Sequence, residues 1–381
     1  MTQQPWGPPS RRSPQWGRGP VGNPYGQNPY GQNPYGQNPY GFPPTSVQRG
    51  FGQNPYGAPP GGPFRRRPPR RRHHPFRLLV LAAIAVGLFM MASTAASNMA
   101  SGGSSSSSTT TGNGQYQNDD YQVPPPDLSP PPIPQPETYE EAQSLLTQNA
   151  FYNQVTPDPV RCASDPINVD TASDAALKKH FDALMACLVR VWEPPVVGAQ
   201  WQIVRPTVTI YGSEINTKCG KSGVNAFYCA ADQQVYYSNR LDNAVPVVAR
   251  DRWAADVVMA HEFGHALQAR TAILISSQAL GQQSNDEGTQ LLFSRRLETQ
   301  ADCFSGMFIR SVAQAVGVQQ SDVEGILEVY SAVGDDTLSG NPGIQGNHGL
   351  ARSRQYWGNT GLGTNEVGQC NTYTARSSLV R

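Results

Sequence analysis

Two histidines four residues apart, with a glutamate directly after the first, stand in ADVVMAHEFGHALQART, residues 255–271. Positions four apart share one face of a helix, so His261 and His265 converge on one point if this run is helical. Two imidazole nitrogens on one face can hold a zinc ion, and Glu262 then lies beside the metal as general base for a water that attacks a carbonyl. The same three residues occur by accident in roughly one chain in a hundred of this size. Spacing alone therefore does not decide, and a third ligand is needed.

Zinc sites that take a third histidine from the same segment place glycine and histidine seven and ten residues after the first histidine. Here those positions hold Gln268 and Thr271, which excludes that arrangement. Downstream, RRLETQADCFSGMF offers Glu298 and Asp302, again four apart. Glu298 can complete a two-histidine, one-glutamate set, while Asp302 accepts a hydrogen bond from the far nitrogen of a ligand histidine. Glu287, in SNDEGTQ, competes for the place of Glu298.

The elements that must position these residues are legible in outline. From Trp253 to Arg270 there is no proline and Ala, Val, Met and Leu dominate, which predicts a helix. PTVTIYG (206–212) and QVYYS (234–238) read as strands, with CGKSGVNAFYC between them as a loop or hairpin pinned by a bridge. An edge strand in such a sheet could pair with an extended peptide. Upstream, Leu177, Phe181, Leu184, Leu188 and Val191 recur at helical spacing until Pro194 and Pro195 stop the run, with His180 on the solvated face. Thr138 and Glu141 form a capping-box pair at another helix start. Strands followed by helices predict an α+β domain.

Five blocks, CGKSGVNAFYCAADQQVYYS, MAHEFGHALQ, RRLETQADCFSG, VGDDTL and NHGLARSRQYW, follow one another in order. Over roughly residues 200–373 the chain resembles the bacterial family of neutral zinc metallopeptidases, which are often membrane-anchored. The resemblance implies a zincin-like domain with a gluzincin-type ligand set: His261, His265 and Glu298 on one Zn2+, with Glu262 as base. His348, in GNHGLARSR, could donate to the oxyanion as water attacks. Tyr330, Tyr356 and Arg354 are rival donors.

The rest of the chain bears on where such a domain works. Residues 1–76 are Pro/Gly/Tyr-rich with a repeated GQNPY unit and few aliphatic residues, which predicts a disordered cytoplasmic tail with partners unassigned. After the arginine cluster RRRPPRRRHHPFR, residues 78–100 carry no charge; we expect a single-pass anchor over 77–100 with the N-terminus inside and everything later outside. A Ser/Thr- and Pro-rich linker (101–136) leads to an extracytoplasmic domain at 137–381. Eleven arginines and no acid lie before residue 78, so a net charge of +1 leaves −10 for the remainder, which argues against nucleic acid as its partner. All six cysteines lie past the apolar run, and an even number on the oxidising side predicts disulfides. Our expected pairing is Cys219–Cys229, Cys162–Cys187 and Cys303–Cys370. The expected protein is a zinc metalloendopeptidase anchored in a bacterial cell membrane and acting on peptides or proteins. The alternatives are a non-catalytic envelope adaptor and a metal-dependent hydrolase of another substrate.

Overall fold

A computed structural model describes residues 116–381. The tail (1–76), the apolar run (77–100) and residues 101–115 of the linker lie outside the described residues. Among the described residues no helix is long and apolar enough to cross a membrane.

The domain is mixed α+β and mostly helical. Helices α1 (Tyr139–Thr147) and α2 (Asp174–Gly198) precede five short strands: β1 (Val208–Tyr211), β2 (Ile215–Thr217), β3 (Gly220–Ser222), β4 (Ala226–Cys229) and β5 (Gln234–Ser238). Eight helices follow: α3 (Leu241–Ala244), α4 (Val247–Arg250), α5 (Ala254–Arg270), α6 (Ile273–Gln283), α7 (Glu287–Val316), α8 (Val323–Ala332), α9 (Asp335–Ser339) and α10 (Ala351–Leu362). The capping pair at Thr138 is present, with the Glu141 amide donating to Thr138 Oγ1 at 3.1 Å; the Glu141 carboxylate accepts from the amide of Glu137.

One sheet has the order β1-β5-β4, with β1 parallel and β4 antiparallel to β5, and β2 and β3 form a separate hairpin. The strand β4 was not expected. Its sequence AFYC is too short to show alternation, and all four residues are buried, because one face meets α5 and the other a small cluster of Tyr211, Phe227 and Cys229. Cys219–Cys229 ties the β2–β3 hairpin to the end of β4, and Cys162–Cys187 and Cys303–Cys370 complete the expected pairing.

The helix α5 is the centre of the core. Every residue of it except Val258 is buried, the signature of a helix enclosed on all sides. The aromatic rings of Phe151, Trp192 and Phe304 pack where α2 and α7 meet, with centroids 5.3–5.9 Å apart.

Three expectations are corrected here. Pro194 and Pro195 do not stop α2, which runs through them to Gly198. Proline lacks the amide that would bond to the carbonyl four residues earlier. For Pro194 that carbonyl belongs to Arg190, and Asn118 Nδ2 donates to it at 2.6 Å instead. The second correction concerns residues 116–136, read as linker. A proline-rich chain has few amides to donate but many carbonyls to offer. Arg205 donates to Pro124 O at 2.9 Å, Gln233 to Pro131 O at 2.7 Å, and Arg270 to the carbonyls of Pro131 and Pro132 at 3.1 Å each, so this stretch is clasped against the domain. Finally, His180 is not solvated. It is 9% exposed, with Nε2 2.6 Å from Asp256 Oδ1 and Nδ1 3.3 Å from Ser164 Oγ, because Asp256 on α5 draws that face of α2 inward.

Candidate metal centre

His261 and His265 lie one turn apart on α5, and Glu298 and Asp302 one turn apart on α7. The two helices approach closely at Gly264, where an added Cβ would stand 3.0 Å from Ala301 Cα. Among the described residues, ligating atoms of His261, His265 and Glu298 lie within 4.8 Å of one another. Glu298 Oε2 is 3.3 Å from His261 Nε2, and its Oε1 is 3.7 Å from His265 Nε2. Glu287 is exposed at the first position of α7, eleven residues before Glu298, and is not part of this group.

Both imidazoles are held from behind. His261 Nδ1 is 2.9 Å from Asp302 Oδ1, and His265 Nδ1 is 2.8 Å from Gln268 Oε1. The amide of Gln268 has its direction set by its own Nε2, which donates to Leu297 O at 2.8 Å and to Gln300 Oε1 at 3.1 Å. With each Nδ1 turned to its oxygen acceptor, the Nε2 atoms of the two rings face one another across 3.2 Å with the Glu298 carboxylate alongside. With their Nε2 atoms deprotonated, the two rings and the carboxylate would offer three acceptors to one cation. Tetrahedral zinc with bonds near 2.0–2.1 Å would set its two nitrogens about 3.3 Å apart, so the donor set fits that ion by type and by spacing.

Glu262 follows His261 and is 7% exposed. One of its oxygens, Oε2, accepts the backbone amide of Tyr228 in β4 at 2.9 Å. Burial raises its pKa and the charge of Glu298 adds to this, against the two histidines and the Tyr228 amide. Glu298 is buried too, but the histidines beside it and His348 reverse the effect and hold it well below the usual carboxylate range. Two neighbouring buried carboxylates are thus pushed in opposite directions, Glu298 down and Glu262 up.

His348 lies on the loop before α10. Asp335, at the start of α9, takes the backbone amides of His348 and Gly349 at 3.0 and 2.8 Å on Oδ2, while His348 Nδ1 is 3.1 Å from Oδ1. The charge of His348 reaches Glu298. The rival donors go elsewhere. Tyr330 is 1% exposed and bonds to Ser305 Oγ at 3.1 Å, Tyr356 is exposed against Trp357, and Arg354 lies behind Asp302.

Residues 144–373 match the profile of the family described as "Putative neutral zinc metallopeptidase". The chain belongs to this family. A relative from Escherichia coli (strain K12), the uncharacterized protein YpfJ, is 32% identical over 236 residues, which cover 58% of this chain and 79% of that protein. The uncharacterized protein Rv2575 of Mycobacterium tuberculosis (strain ATCC 25618 / H37Rv) is 28% identical over 205 residues, covering 49% and 67%. No solved structure matches the chain. For this member of the zinc metallopeptidase family, sequence reasoning missed the supporting roles of Gln268, Asp335 and Arg354, and the strand β4. Gln268 was read only as a residue where another ligand pattern fails, although it stands three positions after His265 on the same helix face.

Proposed function

We propose that the protein is a zinc-dependent metalloendopeptidase with a zincin-like active site, in which His261, His265 and Glu298 hold one Zn2+. The observation that carries this reading is the pair of Nε2 atoms 3.2 Å apart, each ring held through Nδ1 by an oxygen acceptor, with the Glu298 carboxylate beside them and Glu262 next to His261 in the chain. Zinc held by His261, His265 and Glu298 would supply Lewis acidity, making a nearby water easier to deprotonate and the scissile carbonyl more electrophilic. Glu262 keeps Oε2 on the Tyr228 amide and takes the proton of the attacking water on Oε1, then passes it to the departing amine nitrogen. Asp335 orients His348 so that its Nε2 can donate to the oxygen that gains charge in the transition state.

Among the described residues β4 is an edge strand of its sheet, and that edge supplies the substrate's place. In the β4–β5 register Phe227 pairs with Tyr236, and the Tyr228 amide points away from β5 to Glu262. The amide and carbonyl of Ala226 and the carbonyl of Tyr228 then face the same edge and can take up an extended peptide beside the base. The proposal includes anchoring by residues 77–100 in a bacterial cell membrane with the domain outside, which the uncharged run, the preceding arginines and the three disulfides support.

The test is Glu262→Gln in the full chain. It should keep bound zinc and lose about 10²–10⁴-fold in peptide turnover. Equal proteolysis by both forms would point to a contaminant or another mechanism, and no proteolysis by the zinc-bound wild type would leave the domain as a non-catalytic adaptor.

A further inference from the structure

Arg354 is a buried guanidinium, 4% exposed, whose partners lie around the histidine ligand and not in solvent. Its Nε donates to Asp302 Oδ2 at 2.8 Å and its Nη2 to Asp302 Oδ1 at 2.8 Å, a two-pronged grip on one carboxylate. Nη1 donates at 3.0 Å to the carbonyl of Val333, which ends α8 and presents the negative end of that helix. Asp302 Oδ1 also meets His261 Nδ1 at 2.9 Å, and Arg354 Nη2 itself lies 3.3 Å from that nitrogen. Arg354 stands in the first turn or so of α10, Asp302 and Glu298 on α7, and His261 on α5. One side chain thus joins the C-terminal helix to the site.

A carboxylate can rotate about its Cβ–Cγ bond, and only one orientation aims an oxygen at His261 Nδ1. The planar fork of arginine removes that freedom because both of its bonds must be made at once. A buried fork and carboxylate are retained at a desolvation cost that hydrophobic residues would avoid, so their presence behind a ligand calls for a role beyond packing.

We infer that Arg354 is the residue that positions the His261 ligand, acting through Asp302, and so determines how tightly and in what geometry the site takes its metal. This rests on the metallopeptidase reading above. It assigns Arg354 no contact with substrate and removes it from the donors that could stabilise an oxyanion.

The experiment measures the full chain's zinc dissociation constant by competition with a chromogenic chelator, and the visible absorption of the cobalt-substituted protein, for wild type, Arg354→Lys, Asp302→Asn and the double variant. Lysine keeps the charge but not the fork. We expect Arg354→Lys to weaken zinc binding by about 10–100-fold and to alter the cobalt bands, which report ligand geometry. The double variant should bind no more weakly than Asp302→Asn alone, because both changes break one linkage. Wild-type affinity and cobalt bands in Arg354→Lys, or fully additive losses in the double variant, would overturn the inference. Should Arg354→Lys fail to fold, Asp302→Asn decides by the same measurements, since unchanged affinity there leaves Arg354 nothing to act through. A wild-type chain that binds no zinc would sink the metallopeptidase reading instead.

Discussion

At the scale of single residues, the two histidines are supported by different chemistry. His261 backs onto an ion pair, His265 onto a neutral chain in which Gln300 Nε2 donates to Cys370 O at 3.1 Å and to Tyr152 Oη at 3.0 Å, and so presents its own oxygen to Gln268. Gln268→Leu should therefore lower zinc affinity about 10–100-fold without changing net charge, as chelator competition would show. Equal affinity would mean that packing alone orients His265. In the metal-free protein, burial disfavours the His261 cation, yet Asp302 and Glu298 outweigh burial, with Arg354 opposing them, and raise its pKa from 6.5 to about 9. A group raised in this way stabilises the fold fully below its unfolded pKa, and the contribution is lost as pH climbs through the folded value. Melting in excess chelator should accordingly fall between about pH 6.5 and 9 by an amount that His261→Gln removes; a pH-independent difference between the two proteins would contradict this assignment.

At the scale of elements, the site depends on how near helices can come. Gly264 lets α5 lie on α7, where Ala301 Cα, Cβ and O would stand 3.0–3.3 Å from an added Cβ. Gly264→Ala should cost about 1–3 kcal/mol in denaturant unfolding, because rigid backbone must move, and should loosen zinc as Glu298 is displaced. Further along α7, Gly361 of α10 packs on the Cys303 carbonyl and Gly306 on that of Gly358. Gly361→Ala meets a backbone oxygen more closely still and is expected to be the more damaging of the two, visible as the larger drop in melting temperature. These contacts explain why the Arg354 on α10 reaches Asp302 on α7 at all.

At the scale of the molecule, three disulfides and the clasped proline-rich stretch hold the domain around α5. Cys303–Cys370 closes a separation of 67 residues and Cys219–Cys229 one of 10. Loop-closure entropy makes the first worth about 4 kcal/mol and the second about 3. Replacing Cys303 and Cys370 by Ser should thus destabilise more than replacing Cys219 and Cys229, by equilibrium unfolding. The latter pair should matter more for turnover, since it ties the β2–β3 hairpin to the strand that borders Glu262. The reverse order on either measurement would count against this division.

How much of this was legible depends on how far apart the interacting residues lie in the chain. The sequence by itself determined the helix α5, because a four-residue spacing on an uninterrupted helical run needs no distant partner to put two imidazoles on one face. It also placed the strand Gln234–Ser238, whereas for the six cysteines, with fifteen possible connectivities, it offered only an expected pairing, which the structure contains, and it left Glu287 as a competitor of Glu298. Only the tertiary structure decided that β4 is a strand, that α2 runs through its prolines, that His180 is buried, and that Arg354 belongs behind His261. Each of these rests on a partner far off in sequence, from Asn118 beneath Arg190 to Asp302 beside Arg354, and no local pattern encodes which of many exposed or buried groups will meet. Short-range spacing states what a segment can do; the packing of α7 against α5 and α10 states which of those possibilities are brought together.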